Sequence, residues 1–304
     1  MRRNAIACWI VCVCLAVGVG AQSQSQRKSS APFELLANLA EKRVTESSGL
    51  AASLKTPGVI WTHNDTGDGP YLYATDRKGR ALARFRVVGA RNVDWEDLAA
   101  GPGPDGAPSL YIGDFGDNGE NRRDCCIYIV PEPEVDLRAT GQERETALAR
   151  RYPFRYPDGP HDAETLLVHP VTGEVLIVTK ADSGRSGVYR MPSPLVRDTD
   201  VMLRRVGEVE FANPMVFGRR AVGKLATGGA VAPDGRHVAI RTYTDVFEWS
   251  VGAGQTLADA LAGARRKIAA PWLGQFESLS YTPDGKFLLT TSEGSPCTLW
   301  QAQR

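Results

Sequence analysis

Short apolar runs separated by turn residues are the dominant pattern of this chain. Runs rich in Val, Ile, Leu, Tyr and Phe recur roughly every 8 to 15 residues between clusters of Gly, Pro and Asp. Because the 3.6-residue period of amphipathic helices is almost absent, the pattern predicts many short antiparallel strands. The exception is TLADALAG, residues 256–263, which predicts about two turns of helix in a surface loop.

A similar first strand occurs five times along the chain, each time followed by a Gly-containing turn and a second apolar run. The first strands are ESSGLAAS from Glu46, WEDLAAGP from Trp95, AETLLVHP from Ala163, ATGGAVAPDG from Ala226 and FESLSYTPDG from Phe276. A third strand follows in every repeat, and a more variable fourth strand follows in the first four repeats. Since four antiparallel strands make one propeller blade, the sequence predicts an all-β, five-bladed β-propeller.

The last repeat supplies only three strands before the chain ends at Arg304. Residues 32–44, PFELLANLAEKRV, alternate like a strand, and we expect this N-terminal segment to be the outer strand of the last blade. Such closure ties the termini together and removes an open sheet edge. Two alternatives are a sixth blade, although residues 211–224 are more typical of an inserted loop, and a two-sheet β-sandwich, which does not explain five repeats.

The N-terminus has the features of a secretory leader. Arg2 and Arg3 precede an apolar run of about 15 residues, too short for the roughly 20 that span a bilayer, and Val19 and Ala21 suit cleavage. We therefore expect a periplasmic or secreted protein without a stable membrane span, the alternative being a leader retained as an anchor. The predicted organisation is a signal peptide at 1–21, a polar linker at 22–31 and a single propeller domain at 32–304.

Charge and cysteine content are unremarkable and exclude some classes of function. The chain has 36 basic and 35 acidic residues, and the leader accounts for two of the arginines, so no strong field for nucleic acid or membrane results. We expect a monomer. Only Cys125, Cys126 and Cys297 follow the leader, so a disulfide framework is not expected. The adjacent pair should alternate faces of a strand, with one thiol buried; a vicinal redox pair is the alternative.

The first strand of each propeller blade lines the central channel. Aligning the five first strands places a side chain with an oxygen atom at the same position of each, namely Ser48, Glu96, Glu164, Thr227 and Glu277. Three carboxylates around a narrow axis repel one another unless a cation or hydrogen bonds compensate. Oxygen-only ligation favours Ca²⁺, with Mg²⁺ second, over zinc or copper. The alternative is that these side chains bond to backbone amides of neighbouring blades and to channel water.

The second strands end on the same face of the propeller, and their last residues are polar. Their Asx content is also typical of turns, which explains most of them without a function. No nucleophile elbow, H-E-x-x-H motif or phosphate-binding loop occurs after the leader. The candidate catalytic residues on this face are His63, Asp65, Lys180 and Arg241, and the candidate ligand-face residues are Asn64, Asp117, Asn118, Asp182, Tyr243 and Glu293.

Several motifs resemble those of known propellers. The segments ESSGLAAS, WTHNDTGDGP, DWEDLAAGP, IGDFGDN and FRYPDGPHDAETLLVHP together resemble a group of secreted bacterial propellers called phytase-like or esterase-like. This resemblance covers most of the chain after the leader. It implies export and a propeller fold, and little about substrate.

The ring of oxygen-bearing side chains is also similar to the axial calcium site of the five-bladed calcium-activated nucleotidases, or apyrases, whose strands offer Ser, Glu, Glu, Ser and Glu. Residues 64–67, NDTG, are similar to that family's Asp-Arg-Thr-Gly loop, with Asn64 and Asp65 in place of Asp-Arg. The resemblance implies an axial calcium ion. Because Asp65 stands where that family has an arginine, this chain lacks one of the side chains that the resemblance would require for nucleotide hydrolysis.

Three functions are compatible with these features. The leading hypothesis is an extracytoplasmic calcium-binding propeller that presents its charged face to a small anionic or polar ligand, or to a protein partner. The second is a calcium-dependent phosphoester or phosphoanhydride hydrolase, in which Lys180 and Arg241 offset developing charge while His63 or Asp65 activates water. The third is a metal-free structural or interaction propeller.

Overall fold

The structure is a computed structural model that describes residues 33–212, 222–272 and 275–304. Within these ranges the chain forms five sheets, each built on four antiparallel strands, and the innermost strands of the sheets follow one another along the sequence. The predicted signal peptide and linker, and most of the 211–224 loop, lie outside the described residues. Cleavage, export and the domain boundaries therefore stay predictions.

The first three sheets contain four antiparallel strands each, and two of them have an additional outer strand. Sheet 1 consists of β2 (Ser47–Ala52), β3 (Val59–Asn64), β4 (Tyr71–Asp76), β5 (Ala81–Arg86) and β9 (Gln142–Glu145). Sheet 2 consists of β6 (Trp95–Pro102), β7 (Pro108–Asp114), β8 (Cys126–Pro131), β10 (Arg150–Arg155) and β14 (Val201–Met202). Sheet 3 consists of β11 (Ala163–Val168), β12 (Val175–Thr179), β13 (Arg185–Arg190) and β15 (Arg204–Glu210).

The last two sheets have four strands each. Sheet 4 consists of β16 (Ala226–Val231), β17 (His237–Thr242), β18 (Asp245–Ser250) and β19 (Arg265–Ala269). Sheet 5 consists of β20 (Ser280–Tyr281), β21 (Phe287–Thr291), β22 (Thr298–Gln303) and β1 (Phe33–Asn38). The five sheets are the blades of a five-bladed propeller, as the sequence predicted, and the six-bladed and sandwich alternatives are wrong.

The N-terminal strand closes the ring. Strand β1 pairs antiparallel with β22, with Phe33 opposite Ala302, so the last blade is completed by the beginning of the domain. Phe33 is 3% exposed and packs with Ala302 in the core between blades 4 and 5. The predicted closure is confirmed.

Two short strands leave their own blade and pair with the preceding one, which the sequence pattern did not predict. Strand β9 belongs to the connection between β8 and β10, yet it pairs in parallel with β5 of blade 1. Strand β14 belongs to blade 3 and pairs in parallel with β10 of blade 2. The sequence QERE of β9 is polar because its side chains form surface ion pairs, including Arg84–Glu143 at 2.8 Å. The added strands cover two otherwise open edges.

Each face of blade 2 packs against a neighbouring blade, so the two adjacent cysteines of β8 and its entry both lie in apolar clusters. Cys126 packs in the apolar cluster shared by blades 1 and 2, whereas Cys125 packs in the next cluster, between blades 2 and 3. Both thiols are therefore buried, where the sequence predicted one, and both are free. Burial raises the pKa of each thiol to about 12, which does not favour a vicinal redox pair.

The predicted helix is present but short. Helix α1 (Leu257–Leu261) begins after Thr256, whose side chain accepts a hydrogen bond from the Asp259 amide while Asp259 bonds back to the Thr256 amide. A 3₁₀ turn (Val222–Lys224) precedes β16. In the described part of the chain, no helix has both the length and the apolar character needed to cross a membrane.

Closure by β1 predicts an unequal effect of two substitutions in the same strand. Phe33→Ala should lower the free energy of unfolding by about 3 to 5 kcal/mol because it leaves a cavity between blades. Leu35→Ala should change it by less than about 0.5 kcal/mol, since Leu35 is 53% exposed. Urea unfolding measures both, and equal effects would contradict the assignment of β1 as a packed closing strand.

Candidate metal centre

A β-bulge turns one side chain toward the channel in the innermost strand of each blade. In blade 2, Trp95 lies opposite Asp114 and Asp97 opposite Gly113, so Glu96 is the extra residue. In the other blades too, the innermost strand has one residue more than its partner at this point. In blade 5 the extra residue falls between the isolated bridge of Phe276 with Ser292 and the pairing of β20 with β21. Bulges re-aim side chains and are common beside functional sites. The residues within the five offsets include the whole predicted ring, Ser48, Glu96, Glu164, Thr227 and Glu277, each at most 3% exposed.

The two hydroxyl members of the ring link one blade to the next. Ser48 Oγ donates to the main-chain oxygen of Glu96 at 2.5 Å, and Thr227 Oγ1 donates to the main-chain oxygen of Phe276 at 3.3 Å. For these two side chains, hydrogen bonding between blades is thus observed. Each hydroxyl oxygen can still accept.

The carboxyl groups form two clusters that share Glu96. In one cluster, oxygens of Asp65, Glu96 and Glu277 all lie within 4.8 Å of one another, and in the other the same holds for Glu96, Asp162 and Glu164. Burial, and then the neighbouring carboxylates, raise the pKa of Glu96 well above its ordinary value. Burial and Asp94 likewise raise the pKa of Asp65 to about 7. Negative charge is therefore costly at this end of the channel.

Lys180 and Tyr243 contact the ring from the ends of second strands. The ammonium group of Lys180, which is 6% exposed, forms an ion pair with Glu164 Oε1. Tyr243 donates its hydroxyl to Glu277 Oε1 at 2.7 Å, and the centre of its ring lies 5.6 Å from Lys180 Nζ. Glu164 Oε2 is buried without a hydrogen-bond partner among the described residues.

Sequence reasoning missed two acids of this site, Asp94 and Asp162. Each stands two positions before a ring glutamate, in the sequences Asp94-Trp95-Glu96 and Asp162-Ala163-Glu164. The D-x-E sequence occurs at the entries to both β6 and β11, and this repetition could have indicated them. Burial raises the pKa of Asp94 as well.

The loop after β7 lies directly against the acids. A Cβ atom on Gly116 would collide with Glu96 Oε1 and would lie 2.6 Å from Asp94 Oδ2. Arg122 holds this loop by an ion pair with Asp114 at 2.8 Å and a hydrogen bond to the main-chain oxygen of Gly116 at 2.8 Å.

The predicted ligand-face residues divide into structural and exposed groups. Asp117 Oδ2 accepts the amide of Arg122 at 2.7 Å within its own loop, as turn chemistry predicts. Asn64 Oδ1 instead accepts the amides of Thr45 and Glu46, so it fixes the segment that precedes β2. Asn118 and Asp182 are exposed. Glu293 is half-buried, and burial together with the carboxylate of Glu277 raises its pKa to about 9.

Two of the candidate catalytic residues are fully buried. His63 is 0% exposed, stands edge-on to Trp95 with ring centres 5.4 Å apart, and has its pKa lowered to about 4 by burial. Arg241 is also 0% exposed, and it donates to the main-chain oxygen of Thr242 at 3.2 Å. Burial lowers the pKa of Arg241 to about 9. Asp65 and Lys180 are the two that the structure brings to the carboxyl clusters.

The channel is crossed by a second layer just beyond the ring. Asp97 Oδ2 accepts the amide of Leu166 in blade 3 at 2.8 Å and that of Gly229 in blade 4 at 3.1 Å. Past this carboxyl group, the innermost strands line a small cavity of about 60 Å³ with mainly apolar residues, among them Leu50 and Val231. A ligand of the carboxyl clusters therefore approaches from one face.

A larger cleft, of about 870 Å³, lies at the opposite ends of the strands of blades 3 and 4. It contains Met191, Val251 and the ion pair between Arg190 and Glu174, whose atoms are 2.7 Å apart. None of the axial carboxyl groups lines it. The axial carboxyl groups and this cleft are thus at different places, and the buried charges favour the axial clusters as the functional site.

These features define a five-bladed β-propeller with acidic clusters at one end of its channel. No protein-family model and no curated protein matches the sequence. Among solved structures, the chain is similar to a gluconolactonase of Xanthomonas campestris, with 12% identity, 90% of this chain and 89% of that chain covered, and a TM-score of 0.49. It is also similar to the Swd1 β-propeller domain of Myceliophteria thermophila, with 11% identity, 85% and 83% covered, and a TM-score of 0.40. The phytase-like and apyrase resemblances stay hypotheses.

Close packing of the β7–β8 loop against the acids predicts that Gly116→Ala is destabilising. The added methyl group would collide with the carboxyl groups of Glu96, in strand β6, and of Asp94, just before it. The free energy of unfolding should therefore fall by about 1 to 3 kcal/mol. Gly119→Ala is the matched control in the same loop, because its Cβ would meet the end of the exposed Asn121 side chain and would lie at an ordinary contact distance of 3.9 Å from Asp117 Oδ1. Chemical denaturation measures both, and a harmless Gly116→Ala would contradict this packing.

The raised pKa of Glu293 predicts a pH dependence of stability in the presence of a chelator. Its ordinary pKa is 4.5 and its folded pKa is about 9, so the folded state holds the proton more tightly than the unfolded state. The resulting stability is present below about pH 4.5 and is lost as the pH rises through 9. The melting temperature should therefore fall between pH 5 and 9, and less steeply in Glu293→Gln. The exposed Glu120→Gln should retain the full slope, and an unchanged slope in Glu293→Gln would refute the assignment.

Proposed function

We propose that the protein is a divalent-cation-binding propeller that holds Ca²⁺ at Asp65, Glu96 and Glu277 and presents the ion to a small polar ligand. The observation that carries the proposal is the approach of three carboxylate oxygens, from three different blades, to within 4.8 Å of one another. Calcium–oxygen distances are about 2.3 to 2.6 Å, so one ion between these oxygens can contact all three.

The charge around the site supports a cation. Among the described residues, the two clusters make one ion pair, that of Lys180 with Glu164, and otherwise receive only neutral hydrogen bonds such as that from Tyr243 to Glu277. Buried carboxylates without compensation take up protons or bind a cation. The acidic groups at this end are Asp65, Asp94, Glu96, Asp162, Glu164, Glu277 and Glu293.

The donor atoms favour calcium over softer metals. Both clusters consist of carboxylate oxygens, with the hydroxyl of Ser48 3.4 Å from Glu96 Oε2. Calcium accepts six to eight oxygen ligands in flexible geometry, whereas Mg²⁺ demands a tight octahedron and zinc prefers His and Cys. An ion here would neutralise Glu96 and Glu277 and leave its open positions toward the accessible face.

The predicted leader gives such a site a suitable compartment. If the protein is exported, as we propose, a calcium affinity in the range of extracellular modules, with Kd of about 10⁻⁴ to 10⁻³ M, is sufficient for occupancy. The acids that surround the ion disfavour a ligand with several negative charges. Of the anionic and polar ligands that the sequence allowed, we therefore propose a neutral one whose hydroxyl or carbonyl oxygens complete the coordination.

The described residues do not favour phosphate ester hydrolysis over binding. Lys180 is committed to Glu164, and Arg241 is 0% exposed and bonded to main-chain oxygens. The groups that would offset charge on a phosphate are thus turned inward. Binding is the function that the geometry supports best.

Calcium should stabilise the protein, and Glu277→Gln should abolish this effect because it removes one charged ligand. At a hundredfold excess over Kd, binding to the folded state contributes about 2.7 kcal/mol, or roughly 5 to 10 °C in melting temperature. Glu132→Gln is the matched control: Glu132 is a glutamate with 2% exposure that bonds Trp61 Nε1 outside the clusters. This variant should melt lower and keep the calcium shift. Differential scanning fluorimetry with calcium and with a chelator measures all three proteins.

Two results would contradict the proposal. An identical melting temperature with calcium and with chelator would favour the metal-free interaction propeller. Calcium-dependent phosphate release from a panel of phosphoesters, retained after extensive purification and lost in Glu277→Gln, would establish the hydrolase instead.

A further inference from the structure

The two acidic clusters share Glu96 but differ in one respect. Asp65, Glu96 and Glu277 have no described lysine or arginine in an ion pair with them, whereas the second cluster, Glu96, Asp162 and Glu164, is bonded to the ammonium of Lys180. Two neighbouring clusters with a common carboxylate are the arrangement that elsewhere holds two ions about 3.5 to 4 Å apart. The second cluster thus has the ligands of an ion site and a lysine in contact with them.

Lys180 is held in this position from several sides. It is 6% exposed, its ammonium bonds Glu164 Oε1, and the ring of Tyr243 lies 5.6 Å away. The hydroxyl of Tyr243 is in turn fixed on Glu277 at 2.7 Å. An ammonium–carboxylate contact is about as long as a hydrogen bond, so Nζ lies close to where an ion bound to Glu164 would lie.

Glu164 has coordinating capacity that Lys180 does not use. Its second oxygen, Oε2, is buried without a hydrogen-bond partner among the described residues, although the residue is only 3% exposed. A buried carboxylate oxygen without a partner is costly, and a cation is one way to satisfy it. Other described cations are engaged elsewhere, Arg122 with Asp114 and Arg241 with main-chain oxygens.

We infer that the ammonium of Lys180 is a built-in cation that limits the centre to one divalent ion, and that removing it opens a second ion site at Glu96, Asp162 and Glu164. This inference rests on the proposed function, since it takes the first ion as bound at Asp65, Glu96 and Glu277. Lys180 excludes the second ion because it occupies its place and repels its charge. The chain thereby keeps a fixed charge beside an exchangeable ion.

Isothermal titration calorimetry with CaCl₂ tests this inference by stoichiometry. The unmodified protein should bind one ion and Lys180→Met two, because methionine has a similar length and no charge. Lys180→Arg keeps the positive charge and should bind one ion. Lys180→Met combined with Glu164→Gln should also bind one, since the second cluster then lacks the carboxylate that Lys180 contacts. Circular dichroism confirms that each variant is folded, and Lys180→Gln replaces Lys180→Met if the latter does not fold.

The outcomes separate the two proposals. Two ions in the unmodified protein, or a single ion in folded Lys180→Met and Lys180→Gln, would overturn the role of Lys180 and leave the calcium site in place. No binding by the unmodified protein would overturn the proposed function itself. One ion rising to two, and returning to one with Glu164→Gln, would establish both.

Discussion

The site depends on a one-residue bulge that is repeated in the innermost strand of all five blades. A regular strand would alternate its side chains between the two neighbouring blades, and none would be turned along the axis. The extra residue breaks this alternation and directs an oxygen-bearing side chain, such as Glu96 or Glu164, into the channel. Glycines beside two of the bulges allow the close approach this requires, since a Cβ on Gly49 would lie 2.5 Å from the Leu98 amide, and one on Gly228 would collide with the main-chain oxygen of Glu277.

Concentrating carboxyl groups at the axis has an electrostatic cost that the rest of the site offsets. Burial and mutual repulsion raise the pKa of Glu96 and of Asp65, so the folded protein gains from protons or cations at this place. Burial by itself would lower the pKa of Lys180. The surrounding carboxylates, Glu164 above all, outweigh burial and raise this pKa above its ordinary value, so the ammonium stays charged. Asp97 seals the channel with neutral amide partners, so the remaining charge is accessible from one face.

Geometry of this kind requires blades that keep their relative positions. Strand β1 joins the two ends of the domain, and β9 and β14 each connect a blade to the one before it. Ligands contributed by blades 1, 2 and 5 therefore come from parts of the chain that are mechanically linked. A displacement of one blade by the length of a covalent bond would separate the carboxylate oxygens of Asp65, Glu96 and Glu277, which now lie within 4.8 Å of one another.

The sequence by itself determined the architecture, because each blade is encoded locally: the alternation of apolar residues and the turn glycines recur with every repeat. The same alignment placed Ser48, Glu96, Glu164, Thr227 and Glu277 at the axis, and the missing fourth strand of the last repeat indicated closure by the N-terminus. The parallel strands β9 and β14 were not predictable, since their polar sequences are stabilised by edges of other blades. Tertiary structure alone decided that His63 and Arg241 are buried, that Asp65 joins Glu96 and Glu277, and that Glu164 is paired with Lys180. The physical reason is that strand patterns are set by neighbours along the chain, whereas charge pairing depends on loops that meet only when the ring closes.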